Sequence, residues 1–281
     1  IYIQNIKNME LINCPICNSA NFSFYLKLKD RFNVTDTEFS LVKCGCSFIY
    51  LNPRPDQIEI NKYYNTRAYS PHNKVSIFYK LAQFFSFRWK LNLINQYMDR
   101  KNKILDYGSG KGEFSDYLNK KSFEVHNYEP ILNNKNNISE YEKYSIITLW
   151  HSLEHIHDIN NALKNIKGYL NKKGYIFLAI PNIDAAEKFF FSKHWVAYDV
   201  PRHLYHFNEN TLNKLLDKHD LKIIKSKTIF QDTFYNIYLS IKSKNLIIKI
   251  FKFIYISIIS FFNILLNNKK ASSKLYICTK K

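Results

Sequence analysis

The chain has 281 residues, of which 46% are apolar and 16% aromatic, enough for one α/β domain of ordinary size and a small accessory unit. Its formal net charge of +18 would suit a nucleic acid or an anionic membrane. Only six of its 41 basic residues are arginine, the side chain that binds phosphates best, so we do not expect nucleic acid as a partner.

Four cysteines stand in two close pairs near the N-terminus, Cys14 with Cys17 and Cys44 with Cys46. No apolar run of a signal peptide precedes them, so we expect a cytoplasmic protein in which such pairs bind metal and do not form disulfides. Four thiolates complete a tetrahedral structural zinc site, and the metal would replace a core that this short segment cannot build. The sequence predicts a zinc-binding module, a small zinc ribbon, over residues 1–57; clustering by chance is the alternative.

A change of hydrophobic pattern divides the rest of the chain. Pro53-Arg54-Pro55 ends regular structure, and residues 58–100 follow as a helical connector with an apolar face. From residue 101 onwards short apolar strands alternate with helices, and the expected strands cover residues 103–107, 124–128, 145–150, 175–180, 221–229 and 274–279. This alternation predicts an α/β fold over residues 101–281: a Rossmann-like, mostly parallel seven-stranded sheet with helices on both faces.

A glycine-rich turn follows the first of these strands, in Asp106-Tyr-Gly108-Ser-Gly110-Lys-Gly112. Glycines at this spacing let the backbone turn out of the strand, and the N-terminus of the next helix offers free N–H groups to an anionic ligand. Glu129 ends the following strand, where a carboxylate can accept hydrogen bonds from both hydroxyls of a ribose. A nicotinamide dehydrogenase is the alternative, but the short glycine spacing and the lack of a second nucleotide-binding half oppose it.

These residues and several later motifs resemble the class I S-adenosylmethionine-dependent methyltransferases. Leu105–Gly112 is similar to the first motif of that family, Glu129 to its ribose-binding acid, and Trp150–His155 to the motif after the fourth strand in its small-molecule branch. Members from sugar and polysaccharide clusters share the N-terminal cysteine module and the segment with Trp195, Asp199 and Pro201–Phe207. The family usually has two residues between the second pair of cysteines, where this chain has one.

The resemblance implies a site for S-adenosylmethionine. The methionine end would be held by Asp106, Gly108 and Gly110, with Gly112 closing the turn; Glu129 would hold the ribose, and Trp150 and His151 would flank the sulfonium. One departure concerns residues 130–144, which are too few for the usual helix and third strand at full length. We assign no residue to the adenine for this reason.

Transfer of a methyl group to a hydroxyl needs a base that removes the proton, and a histidine does this near neutral pH. We expect His203 to be this base, with His206 and Asp199 as further candidates, because the family places this segment over the substrate. Arg202 beside them would meet a phosphate of a nucleotide-sugar acceptor. His151 and His155 are candidates as well, since they follow a strand at the edge of the sheet where such folds bind ligands. A structural role is the alternative for His155, and Glu154 and His155 together could instead bind a divalent metal, as in related quinone O-methyltransferases.

An apolar segment with a narrow polar stripe lies before the last expected strand, over residues 246–267. The stripe repeats at about 100° per residue and consists of Lys249, Lys252, Ser260, Asn263 and Asn267. The uninterrupted part, Phe253–Leu266, is too short to span a membrane. We expect a helical insertion over residues 245–268 that either lies on the inner face of the membrane or packs against the protein itself or a second copy.

The expected function is methyl transfer to a small-molecule acceptor, and the resemblance favours a sugar or nucleotide sugar in polysaccharide or glycan biosynthesis. A quinone or other phenolic O-methyltransferase is the alternative within the family. An alternative of another class is a non-catalytic zinc-ribbon protein that binds RNA or protein and retains a degenerate methyltransferase fold. Binding of S-adenosylmethionine distinguishes the two classes.

Overall fold

The computed structural model describes residues 8–64, 77–98, 102–130, 138 and 142–281. The strands in these ranges are β1 (Met9–Glu10), β2 (Phe22–Lys29), β3 (Glu38–Cys44), β4 (Ile49–Leu51), β5 (Arg54–Pro55), β6 (Ile104–Tyr107), β7 (Val125–Tyr128), β8 (Tyr144–Trp150), β9 (Leu170–Pro181), β10 (Tyr205–His206), β11 (Leu221–Thr228) and β12 (Ser273–Lys280). The α-helices in the same ranges are α1 (Asn61–Tyr64), α2 (Ile77–Ile94), α3 (Glu113–Asn119), α4 (Ile159–Tyr169), α5 (Lys188–Phe191), α6 (Glu209–Lys218), α7 (Phe230–Ser240) and α8 (Leu246–Leu266).

A central sheet of six described strands has the order β11-β12-β9-β8-β6-β7. Strands β7, β6, β8 and β9 run parallel, whereas β12 is antiparallel to both β9 and β11. The prediction of a mostly parallel α/β sheet is therefore confirmed. Seven strands were expected, and most of residues 130–144, which would replace the usual third strand, lie outside the described residues.

Side chains of the central strands alternate between two cores, one on each face of the sheet. In β9, Ile176, Leu178 and Ile180 enter the first core, while Phe177 and Ala179 enter the second. Helices α4 and α6 cover the first face, and α2 and α3 cover the second. Because both faces are covered, the central parallel strands are continuous apolar runs, as their sequences indicate.

The N-terminal cysteine module forms an antiparallel sheet in the order β10-β4-β3-β2. Its edge strand β10 comes from the C-terminal half of the chain, and Tyr205 in β10 pairs with Tyr50 in β4. The rings of Phe48 and Tyr205 stack with centroids 5.9 Å apart, and the Arg54 guanidinium donates a hydrogen bond to the Tyr205 hydroxyl at 2.7 Å. The module therefore shares the first core with the central sheet.

The connector and the insertion are both helical where the structure describes them. The connector contains α1 and α2, and residues 65–76 and 99–100 between and after them lie outside the described ranges. Only part of the expected apolar face of α2 is buried: Leu91 and Ile94 are in the second core, whereas Phe84 and Phe85 are exposed. The expected insertion before the last strand is the 21-residue helix α8.

Candidate active site

The glycine-rich turn after β6 has a left-handed backbone at three positions. Gly108, Gly110 and Gly112 have φ values of 79°, 56° and 78°, which glycine adopts at little cost. A methyl group on Gly108 would lie 2.4 Å from Cβ of Ser152, so packing also requires glycine there. At Gly110 no atom of the described residues would lie within 4 Å of such a methyl group. The turn therefore packs against the protein at Gly108 and faces open space at Gly110.

Two buried carboxylates hold this turn. Asp106 accepts hydrogen bonds from the hydroxyls of Thr148 at 2.7 Å and Ser115 at 3.1 Å, and burial raises the pKa of its carboxyl despite these bonds. Glu129 accepts a hydrogen bond from the backbone N–H of Gly110 at 2.9 Å. Asp106 thus links β6 to β8 and α3. Glu129 is joined to Gly110, the glycine that faces open space.

The half-buried Lys90, which the sequence analysis missed, lies close to the rings of Trp150 and Phe114. Nζ of Lys90, on α2, is 4.4 Å from the ring centroid of Trp150 and 5.1 Å from that of Phe114. Burial lowers the pKa of Lys90 to about 8, although the carboxylates of Asp106 and Asp232 oppose the shift. A cation in partly apolar surroundings is well suited to an anionic group of a ligand.

His151 follows β8 directly and has a left-handed backbone, with φ at 53°, which is uncommon outside glycine. Its Nε2 is 2.9 Å from a carboxylate oxygen of Asp232, and its Nδ1 is 3.5 Å from one of Glu154. Burial alone would lower the pKa of His151, but the two carboxylates outweigh it and raise the pKa to about 10. His151 is therefore a cation near neutral pH, and its partner Asp232, at the start of α7, was not predicted.

A cluster of Glu154, His155 and His203 lies beyond His151, and one nitrogen or oxygen from each residue lies within 4.8 Å of the others. Nδ1 of His203 is 2.8 Å from the carbonyl oxygen of Ala197, and Nδ1 of His155 is 3.0 Å from that of Arg202. Carbonyl oxygens only accept hydrogen bonds, so the contact with Ala197 assigns the proton of the neutral His203 ring to Nδ1 and leaves Nε2 as the acceptor. Nδ1 of His155 is also 3.0 Å from the Tyr64 hydroxyl, which can donate or accept.

His203 is uncharged near neutral pH but is a weak base. Burial, and then the nearby His155, lower the pKa of His203 to about 4, and the carboxylates of Asp199 and Glu154 only partly oppose this lowering. Burial would raise the pKa of Glu154, but His151 and His155 lower it to about 2. At neutral pH an uncharged His203 therefore lies beside an ionised, fully buried Glu154, which would stabilise a proton received by His203.

The other two predicted bases lie deeper in the protein. His206 is buried, and burial together with the nearby His203 lowers its pKa to about 3. Asp199 accepts a hydrogen bond from Arg202 at 2.8 Å and pairs with Arg31 at 2.8 Å. Although burial opposes it, these two guanidinium groups lower the pKa of Asp199.

Arg202 does not have the role that its sequence context suggested. Its side chain is fully buried, and the guanidinium contacts Asp199 and, at 2.6 Å, Asp30 of the cysteine module. The expectation that Arg202 meets a phosphate of the acceptor is therefore wrong, because two carboxylates inside the protein already bind it. Arg202 instead joins the cysteine module to the segment that carries the histidines.

Three groups of the described residues could hold a metal ion: the four predicted cysteines, the cluster of Glu154, His155 and His203, and a more exposed group of Glu124, His126 and Glu142. The four predicted cysteines come together: Sγ of Cys14 is 3.6 Å from that of Cys46, Sγ of Cys17 is 3.4 Å from that of Cys44, and all four lie within 4.8 Å of one another. Tetrahedral zinc with bonds of about 2.3 Å places its sulfur ligands about 3.8 Å apart, so the cysteines fit this metal. The cluster of Glu154, His155 and His203 offers three ligands that would also suit a divalent cation.

Comparison with known proteins identifies the class of enzyme. Residues 77–226, more than half of the chain, match a family model described as a methyltransferase domain, so the protein belongs to this methyltransferase family. It is an S-adenosylmethionine-dependent methyltransferase. No curated protein matches the sequence.

A solved structure with a TM-score of 0.50 shows the same fold at low sequence identity, and two further structures are similar with lower scores. The 1,6-didemethyltoxoflavin-N1-methyltransferase of Burkholderia thailandensis, bound to 1,6-didemethyltoxoflavin and S-adenosylhomocysteine, is 12% identical, with a TM-score of 0.50 over 88% of this chain and 97% of that one. A methyltransferase from Archaeoglobus fulgidus is 17% identical, with a TM-score of 0.44 over 73% of this chain and 100% of that one. The mitomycin 7-O-methyltransferase is 11% identical, with a TM-score of 0.41 over 67% of this chain. The present chain spans only 52% of the length of that enzyme.

Proposed function

We propose that this methyltransferase acts on a hydroxyl group of a small polar acceptor, a sugar or a nucleotide sugar, with His203 as the general base. The observation that carries the proposal is the cluster of Glu154, His155 and His203, close to His151 at the carboxyl end of β8. A cluster of imidazoles and a carboxylate suits an acceptor rich in hydroxyls better than the apolar ring of a quinone.

The residues around the glycine turn fit S-adenosylmethionine. The open side of Gly110 leaves room for the methionine half, and the Glu129 carboxylate beside it can accept hydrogen bonds from the ribose. We assign the methionine carboxylate to the Lys90 ammonium and the surroundings of the sulfonium to Trp150 and His151. The Asp232 carboxylate, 2.9 Å from His151, would balance the positive charge of the imidazolium there. The cofactor supplies an activated methyl group, so the protein has to align the acceptor and remove its proton.

The proton would pass to Nε2 of His203, since Nδ1 already donates to the carbonyl of Ala197. The resulting imidazolium would lie next to the Glu154 carboxylate, which Nδ1 of His151 also approaches at 3.5 Å. Glu154 would compensate the new positive charge, but Nδ1 of His203 faces the Ala197 carbonyl, where a catalytic triad has its acid. A positioned base of this kind typically contributes on the order of 10²–10⁴ in rate.

We assign structural zinc to the four cysteines. Four thiolates leave no open coordination position, so the metal would stabilise the module and take no part in the chemistry. Its removal would affect the reaction only through the structure that it holds together.

The test is release of S-adenosylhomocysteine with a panel of nucleoside-diphosphate sugars, with a catechol as the phenolic comparison. For the acceptor that is methylated, His203→Ala should lower turnover at least about 10²-fold and leave the Kd for S-adenosylmethionine nearly unchanged. His219→Ala, outside the cluster, is the matched control. Equal turnover in the His203 variant and the wild type would eliminate this base, and methylation of the catechol alone would eliminate the sugar acceptor.

The pH dependence provides a second test of the same base. A base must be uncharged, so the lowered pKa of His203 keeps it active above about pH 4 and inactive below that value. We therefore expect kcat/KM to stay constant from about pH 7.5 down to about pH 5.5, where an ordinary histidine with a pKa near 6.5 would already be protonated. A decline of kcat/KM centred near pH 6.5 would contradict this assignment.

A further inference from the structure

Helix α8 exposes its apolar side chains to solvent. Phe251 is 70% exposed and Leu266 is 88% exposed, and they belong to a larger apolar face of Leu246, Ile247, Ile250, Phe251, Ile254, Ile258, Phe262, Leu265 and Leu266. The exposed Phe189 on α5 extends this surface, and the ring of Phe190 beside it contacts Tyr255 with centroids 6.4 Å apart. A continuous apolar surface of this size on a protein marks a site of interaction.

The polarity of α8 is the reverse of that of an ordinary surface helix. Ser257 and Ser260 face the protein together with Ile256 and Ile264, and the two serine hydroxyls have no hydrogen-bond partner among the described residues. Lys249, from the predicted polar stripe, lies over the ring of Tyr238 at 3.9 Å from its centroid. The protein therefore covers the more polar side of the helix and leaves the apolar side uncovered.

The helix lies along the protein surface and is held there at several points. Phe253 contacts Tyr238 near the start of the helix, and Phe261 contacts Phe230 further along, with ring centroids 6.2 Å and 5.9 Å apart. By length and composition α8 could also cross a membrane. Its contacts with α7 along one side favour a helix that lies in the plane of an interface.

Lysines accompany the apolar surface, and one of them, Lys269, lies 3.7 Å from the Glu209 carboxylate on α6. Residues 242–270 contain six lysines, at positions 242, 244, 249, 252, 269 and 270, and no Asp or Glu. Lys242 and Lys252 also line a cavity of about 350 Å³ between α5 and α8, together with Phe190, Tyr255 and Ile256. Apolar walls with ammonium groups beside them match an acyl chain and an anionic headgroup.

We propose that α8, with Phe189 and Phe190, docks on the surface of an anionic lipid bilayer and inserts its apolar face into the region between headgroups and acyl chains. A second copy of the chain is a weaker fit. A two-fold interface brings the same patch together from both copies, so the lysines would repel each other with no acid in the segment to compensate them.

The experiment is co-sedimentation of the full chain with vesicles of phosphatidylcholine containing about a quarter phosphatidylglycerol, compared with phosphatidylcholine alone. We expect binding to the anionic vesicles that weakens as salt is raised from about 0.1 M to about 0.5 M. Replacing Phe251, Ile258 and Phe262 together by Ser should abolish it.

A second variant keeps the test independent of any effect on folding. Lys242→Gln with Lys252→Gln leaves the apolar face intact and should weaken binding to the anionic vesicles about 30-fold. Binding of S-adenosylmethionine and thermal unfolding check the fold of both variants. The proposal is overturned if the wild type stays in the supernatant with anionic vesicles at low salt. It is also overturned if ultracentrifugation shows a dimer of the wild type, the Ser variant is a monomer, and the vesicles bind neither protein.

Discussion

The glycine turn allows a prediction whose magnitude follows from the structure. Gly108→Ala would place a methyl group 2.4 Å from Cβ and 2.8 Å from Oγ of Ser152. Overpacking of this kind costs about 1–3 kcal/mol, and a left-handed backbone adds about 1–2 kcal/mol for a residue other than glycine. We expect the free energy of unfolding to fall by about 2–5 kcal/mol, which lowers Tm by about 4–10 °C for a chain of this size.

Gly110 offers a matched control, because its φ is also positive but its methyl group would meet no described atom within 4 Å. Gly110→Ala should lose only the backbone contribution of about 1–2 kcal/mol. The larger Gly110→Val should abolish binding of S-adenosylmethionine, since it fills the space that we assign to the ligand. The two glycines therefore separate a defect in folding from a defect in binding.

Thermal unfolding and isothermal titration with S-adenosylmethionine measure the two effects. The double variant Gly108→Ala with Ser152→Gly should recover at least about 1 kcal/mol relative to the additive expectation, because Ser152→Gly removes the colliding Cβ. Equal Tm values for Gly108→Ala and Gly110→Ala, or no coupling between positions 108 and 152, would refute the steric argument.

Two further predictions concern charges and metal. Lys90→Ala should raise the Kd for S-adenosylmethionine about 10- to 100-fold, since a charge-assisted hydrogen bond to a carboxylate contributes about 1.5–3 kcal/mol, whereas Arg88→Ala on the same helix should leave it unchanged. An unaltered Kd in the Lys90 variant would show that this lysine does not contact the cofactor. Metal analysis should find about one zinc per chain, and Cys14→Ser should lower Tm while Cys278→Ser should not change the zinc content. A metal-free wild type of unchanged stability would contradict the structural role of zinc.

Features that depend on local backbone chemistry could be read from the sequence. The alternation of strands and helices, the glycine turn after the first strand of the central domain, and the insertion α8 are all as expected. The four cysteines also meet as predicted, because each pair is close in sequence and a short antiparallel sheet brings the two pairs together. The zinc ion itself stays a prediction.

Features that depend on distant partners could not be read in this way. Lys90 and Asp232 lie on helices outside any motif, and only the folded sheet brings them close to Trp150 and His151. Arg202 was assigned to the acceptor because its partner Asp30 lies 172 positions away in the sequence. No periodicity or spacing rule predicts such a pair, and a scarce arginine in a sequence motif is easily taken for a ligand-binding residue.

Strand β10, which belongs to the sheet of the cysteine module, has a consequence for how the unfolding and the metal dependence of this enzyme are interpreted. Strand β10 contains His206, and Arg202, just before it, is anchored on Asp30 of the module. The module and the catalytic half should therefore unfold as one cooperative unit, and the apparent stability of the whole chain should rise with free zinc concentration. Loss of activity on treatment with a chelator would then report the collapse of a shared sheet, and it should not be taken as evidence for a metal at the reacting atoms.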